Sequence, residues 1–409
     1  MVSLMQVRSF LLALVLAFTS SQSSLAQSDL AGDSFDQILA RAEGQTVYWN
    51  AWGGSALYNG YIEWVADQVE QRFGVKLRHV KITDTVLAVR KVQSEQLAGK
   101  LHDGSIDLIW INGENFKIMK EEGLLFGPFT NMLPNMRFVD PAKTPSAFRD
   151  FTIATDGMEA PWGLARFIIL YDQALTRTPP TDPETLLAWA RAHPGRVSYP
   201  APPDFTGTSF LKQALSQLHG PDPRFGHAPD PQSFNEMTEP LWQWLDELHL
   251  LSWRKGRQFP RTGSDLIRLL EEGAVDFAYS YNIGEAAALI ANQRLPASAR
   301  TAVFDKGSLS NAHFVAIPFN SSAREGAMVV ANFLLSPEAQ ARKSDLRYWG
   351  EATVLSLDGL DEADKRFFDE IQTSPAILQG EALGAGIDEP HPAWGEALER
   401  EWMERYQGR

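Results

Sequence analysis

Four short stretches of the sequence carry more hydrogen-bonding and aromatic capacity than a turn needs. Trp52-Gly53-Gly54-Ser55 sets an indole beside two glycines that let backbone approach a guest, with N–H groups at a helix start able to bind an oxygen. It also reads as a tight turn with a core tryptophan. Asn112-Gly113-Glu114-Asn115 packs two amides and a carboxylate into four residues directly after an apolar run, or simply caps a helix. Asp204-Phe205-Thr206-Gly207-Thr208-Ser209 places a glycine among hydroxyls at another helix start, where an ordinary N-cap is the alternative. Tyr279-Ser280-Tyr281-Asn282 puts two phenols two residues apart, hence on one strand face, where they can reach a ring or a hard metal, or pack in a core. Asp84 and Glu159 are candidate counter-charges for a cation, with Asp84 also suited to capping a helix.

Each stretch follows an apolar run and precedes a helical period. Thr46–Trp52 reads as a strand, a helix follows until Gly74, and Val75–Ile82 is a second strand. A helix through Val86, Val89 and Val92 leads to Ile106–Ile111, a continuous apolar run of the kind found in central parallel strands. This β-α-β-α order predicts a parallel sheet covered on both faces. The pattern fades between Phe126 and Ala160 and resumes at Leu164–Tyr171. A second α/β region follows, with strands expected at Val197–Tyr199, Ala274–Tyr281 and Ser310–Phe319 and a helix at Ala323–Leu335. In open sheets of this kind ligands bind beyond the carboxyl ends of the strands, where all four stretches fall.

The first residues point to export. Arg8 precedes an apolar run from Phe10 to Phe18, too short to span a bilayer, and Ser24-Leu25-Ala26 is a small-x-small cleavage site. Residues 1–26 are therefore expected to be a signal peptide, leaving a periplasmic chain of about 380 residues, enough for two domains. There is no cysteine, so disulfides, thiolate metal sites and a lipid anchor on a cysteine are excluded. A net charge of −14 argues against nucleic acid or an anionic membrane as partner. The twelve tryptophans exceed what cores usually need, and such surplus lines clefts. Motifs of nucleophile elbows, zinc proteases, P-loops and dinucleotide folds are absent. No cofactor and no metal site is expected.

In its order of features the chain resembles the type II periplasmic binding proteins of ABC importers, near the thiamine, iron and polyamine binders. The resemblance rests on the leader, Asn50–Ser55, Asp107–Asn115, Ala160–Asp172, Asp204–Phe210, Ala274–Asn282 and Ala331–Gln340. It implies an α/β fold of two lobes, each a mainly parallel sheet flanked by helices, joined by a strand hinge. Residues 27–163 and 308–345 would form one lobe and 164–307 and 346–409 the other. The ligand would lie between them, against Trp52, Gly53, Gly54, Ser55, Asn112, Gly113, Glu114, Asn115, Trp162, Thr206, Gly207, Thr208, Tyr279, Tyr281 and Asn282. Iron binders of this class carry adjacent tyrosines, and the spacing of Tyr279 and Tyr281 departs from that. The resemblance implies a monomer that captures a small solute and delivers it to permease subunits in the inner membrane; tryptophans with acidic groups suit a cation such as thiamine, and a sugar, polyol or polyamine is the alternative. A secreted α/β hydrolase pairing Ser55 or Ser209 with His313, and an extracytoplasmic sensor or scaffold, remain alternatives.

Overall fold

The computed structural model describes residues 32–407 apart from 373, 379 and 385, so the expected leader lies outside the described residues. Helix α1 (Phe35–Ala42) precedes β1 (Thr46–Trp52), α2 (Ala56–Phe73), β2 (Lys76–Ile82), α3 (Val86–Leu97), β3 (Leu108–Ile111) and α4 (Glu114–Glu121). The two caps legible in sequence form. Gly74 takes φ +66 and closes α2, and Asp84 Oδ1 accepts from Val86 N at 3.0 Å before α3. β1 pairs in parallel with β2 on one side and β3 on the other. β3 is buried on both faces: Leu108 and Trp110 point to α2 and its neighbours, Ile109 and Ile111 to the face of α3 and α4. Asp107, just before β3, is fully buried and accepts from Tyr48 N, Ser321 Oγ, Ser322 N and Ala323 N. It thereby ties this sheet to the start of a late helix.

After the short hairpin β4 (Arg149–Asp150) and β5 (Ile153–Ala154), the chain crosses to a second core along β6 (Glu159–Arg166) and β7 (Ile168–Asp172). Ala160 and Trp162 belong to the first core, Phe167 to Tyr171 to the second. The second core gathers α5 (Pro183–Ala192), α6 (Phe205–His219), α7 (Pro231–Leu251), α8 (Gly263–Glu271), β8 (Phe277–Ser280), α9 (Glu285–Ala291) and β9 (Ala299–Ala302). Strand β10 (Ser308–Ala316) returns, with Leu309 in the second core and Val315 in the first, antiparallel to β6 from Ser310 to Ala316 with a bulge between His313 and Phe314. Then come α10 (Arg324–Leu334), α11 (Pro337–Ser344), α12 (Glu362–Asp369), β11 (Gly386–Asp388) and α13 (Pro392–Tyr406). The tail divides between the cores: Trp349, Val354 and Leu355 pack in the first, Trp394, Leu398 and Trp402 in the second.

The α/β, two-lobed expectation holds, with two differences of detail. The second sheet, β8-β7-β9, is antiparallel in both pairings, because β7 arrives from the crossing reversed. Val197–Tyr199 is no ladder strand. It is a buried extended segment whose Val197 carbonyl accepts from Trp253 N and whose neighbour Arg196 carbonyl accepts from Asp276 N. No described helix is long and apolar enough to cross a membrane.

Candidate functional site

Two groups of side chains meet along the seam between the cores. At the hinge end, Tyr58 of α2 stacks on Trp349 at 4.2 Å and stands 5.2 Å from Trp52 and 6.2 Å from Trp110. Burial pushes the Tyr58 phenol well up, and Glu285 and Glu351 add to the effect. Asn282 faces the same place, its side-chain amide 3.4 Å from the Trp349 carbonyl and its oxygen accepting from Gly284 N. Beneath these rings lies a buried charge cluster. Lys343 Nζ donates to the Trp162 carbonyl and stands 3.3 Å from Glu351, which is 3.1 Å from His313 Nδ1. Burial alone would raise the Glu351 carboxyl, but His313 and Lys343 outweigh it and hold it low. Gly163 is required here, since a Cβ would fall on Glu351 and Lys343.

At the other end the facing groups are mostly acidic. The turn after β3 gives Gly113 φ +60, with no room for a Cβ against the Phe151 ring, and Gly113 N donates to Asp150 Oδ2 at 2.7 Å. Asp150 is fully buried, and burial raises its carboxyl well above the ordinary range. Glu114 begins α4 half-buried and is also raised by burial, with Lys212 pulling the other way. From the second core, α6 presents Thr208, Ser209 and Lys212. Lys212 Nζ donates to Glu389 Oε2 at 2.6 Å, both side chains almost wholly buried. Tyr281 donates to the other oxygen of Glu389, and its hydroxyl lies 3.0 Å from Ser209 Oγ. Thr208 Oγ1 donates to Glu399 Oε1 at 2.7 Å, yet burial and the nearby Glu114 still lift Glu399 to about 7.

These positions separate the sequence-derived candidates. Glu114, Thr208, Tyr281 and Asn282 lie on the seam, and Asn112 borders it, its amide donating to the Ala312 carbonyl. Asn115 is buried at the start of α4. Trp52 reaches the aromatic end, but Gly54 lies against the Trp52 ring and Gly53 against Lys81, so both glycines serve close packing. Ser55 takes the N-cap position without a side-chain cap bond. Trp162 is wholly buried among Trp49, Trp110 and Trp349. Tyr279 sits in the second core against Phe167 and Phe210. The N–H groups of Thr206 and Gly207 are spent on Asp204 Oδ1, and Gly207 is pressed on the Pro200 carbonyl. Asp84 is a helix cap. Glu159 is 1 % exposed, with neither carboxyl oxygen hydrogen-bonded among the described residues, and burial, with Asp150 adding, raises it well up. Ser209 meets Tyr281 and His313 meets Glu351, so the two are held by different partners.

Sequence reasoning missed Asp150, Phe151, Lys212, Glu389 and Glu399. A signal existed for Lys212 alone: it lies in a helix buried from Gly207 to Gln217, where a lysine needs a partner.

Comparison with known proteins places these features in context. Residues 64–356 match the family described as bacterial extracellular solute-binding protein. Protein YnjB of Escherichia coli (strain K12) is 41% identical over 375 residues, 91% of this chain and 94% of that protein. Among solved structures, the periplasmic binding protein AfuA of Actinobacillus pleuropneumoniae with fructose-6-phosphate bound superposes with a TM-score of 0.62 at 15% identity, over 89% of this chain and 99% of that one. The spermidine/putrescine ABC transporter substrate-binding protein PotD of Streptococcus pneumoniae gives 0.59 at 15%, covering 89% and 98%. Iron-bound HitA of Pseudomonas aeruginosa gives 0.57 at 17%, covering 87% and 99%. At these identities the three structures speak for the fold.

Proposed function

The chain belongs to the bacterial extracellular solute-binding proteins, and from that premise we propose that it is the periplasmic binding component of an ABC-type importer and captures a small organic cation between its lobes. The observation that carries this reading is the acidic end of the seam. Glu114 and Asp150 approach from one side, Glu389 and Glu399 from the other, around the ammonium of Lys212. The raised carboxyls there pay a desolvation cost that an entering cation would relieve. Ring faces of Phe151 and Phe205 add cation–π attraction, with the Tyr281 ring packed beside Phe205. A polyamine, named for PotD, or a ring cation such as thiamine suits this chemistry. A sugar phosphate, named for AfuA, suits it poorly, because the carboxylates would repel it.

Capture would work by closure. The lobe boundary would fall on the paired crossing strands β6 and β10, between Trp162 and Phe167 and between Leu309 and Val315, with Trp349–Leu360 counted in the first lobe. Ligand contacts to both sides would favour the closed arrangement. The protein would act as an exported monomer handing its solute to permease subunits, with no chemistry of its own. Calorimetric titration of refolded, ligand-free protein with thiamine, putrescine and spermidine tests the class: one of them binding one-to-one supports it, and binding of fructose-6-phosphate with none of the three binding rejects it.

A further inference from the structure

Lys212 sits where a guest ammonium would be best received. Its Nζ is 4.5 Å from the centre of the Phe151 ring and 5.7 Å from that of Phe205, with Glu389 at 2.6 Å. The Tyr281 ring stands 5.2 Å from Phe205, and the Tyr281 hydroxyl fixes the second oxygen of Glu389. A carboxylate backed by aromatic faces from separate elements is how proteins bind organic ammonium groups. The faces have different origins. Phe151 is set beside Gly113 and Asp150, on the side of the first sheet, whereas Phe205 and Lys212 lie on α6, Tyr281 packs on the second core, and Glu389 is bonded to Lys212 and Tyr281. The cage is therefore complete only while the two sides touch. Lys212 is 3 % exposed, and Glu389 is the hydrogen-bond acceptor of its ammonium, which carries three donors.

We propose that Lys212 is a tethered stand-in for the solute: its ammonium occupies the cage, holds the seam shut across Phe151, and must withdraw before a solute ammonium can enter. This deepens the organic-cation reading and rests on it. The consequence is selectivity. A simple monocation that displaces Lys212 exchanges one ammonium for another and gains little. A solute that also reaches Glu114, Glu399 or the aromatic end gains contacts that Lys212 cannot make. Occupancy by the tethered group thus lowers apparent affinity for every cation and leaves only multi-point binders above the working threshold. The long stem of Lys212, unbranched to its Nζ, can swing out along α6 without moving the helix.

Lys212→Met keeps the stem and removes the charge. The expected result is affinity for thiamine or spermidine about tenfold tighter than wild type by calorimetry, together with a larger radius of gyration for the ligand-free variant by small-angle X-ray scattering. Lys212→Arg should restore the wild-type compactness and weaker binding. If circular dichroism shows that Lys212→Met does not fold, Lys212→Gln, whose neutral amide can still donate to Glu389, carries the same comparison with the cage carboxylate intact. Wild type binding a cation while the variant binds it equally or more weakly overturns the stand-in and leaves the cation reading intact. Failure of both proteins to bind thiamine, putrescine, spermidine or choline overturns both.

Discussion

Among the described residues two lysine–glutamate pairs are buried, and their surroundings differ. Lys343 and Glu351 are eight residues apart, wholly buried, and wedged between Trp162, Trp349 and the crossing strands, with His313 completing the cluster. Gly163 is a glycine so that the pair can pass over β6. Lys212 and Glu389 are 177 residues apart and equally dry, but one wall around them, Phe151, comes from the other side of the seam. On the closure proposed above, the second pair meets water when the lobes part, whereas the first keeps its cover of Trp162 and Trp349. A buried ion pair contributes little net stability, yet losing one partner strands a charge, so what matters is whether the stranded charge can be rehydrated. On that proposal the charge at the seam is rehydrated and the charge at the hinge is not, which is what would make the seam pair available for binding.

Truncating each lysine sharpens the contrast most. Lys343→Met should lower the unfolding free energy by about 3–5 kcal/mol, since Glu351 is left buried and its charge support halved. Lys212→Met should cost about 1–3 kcal/mol, because an opening seam lets water reach Glu389. Chemical denaturation measures both, and equal losses would break the distinction. The two tyrosines give a smaller version. Tyr281→Phe removes a donor to a carboxylate and should cost about 1.5–3 kcal/mol, whereas Tyr279→Phe in the second core should be nearly neutral. A larger loss at Tyr279 would mean that the phenol has an unrecognised partner.

The smallest effect is a pH dependence from Glu399, half-buried and partly screened. Its folded value near 7 lies above the ordinary carboxylate value. The stabilisation it gives is therefore complete below the ordinary value and is lost as pH rises through about 7. Affinity for a cation should move the other way, strengthening over the same range as the carboxylate forms. Glu399→Gln should flatten both curves between pH 5 and 8. A Glu399→Gln protein with the wild-type profile would assign the titration to another group.

The sequence carried the first sheet well, because parallel strands buried on both faces leave continuous apolar runs and their helices have caps at Gly74 and Asp84. It misplaced glycines and helix starts for a common reason. A glycine needed for packing and one needed for a ligand look alike until the neighbour is known, and Gly53, Gly54 and Gly207 all proved to be pressed against the protein itself. The seam acids were hidden by distance. Asp150 and Phe151 lie in a stretch without periodicity, where Phe151 takes φ +52 and tertiary contacts set the path. Glu389 and Glu399 come from the tail and meet α6 only in three dimensions. Net charge was a poor guide as well, since what matters is that the acids converge on one lysine.

The most direct test of the acidic seam as a cation site is native mass spectrometry of the protein as purified, followed by gentle unfolding to identify what is released. The account predicts one small positively charged organic molecule per chain, absent from a Glu114→Gln, Glu399→Gln protein that folds normally. Release of a phosphorylated or carboxylic solute, retained by that double variant, would contradict it.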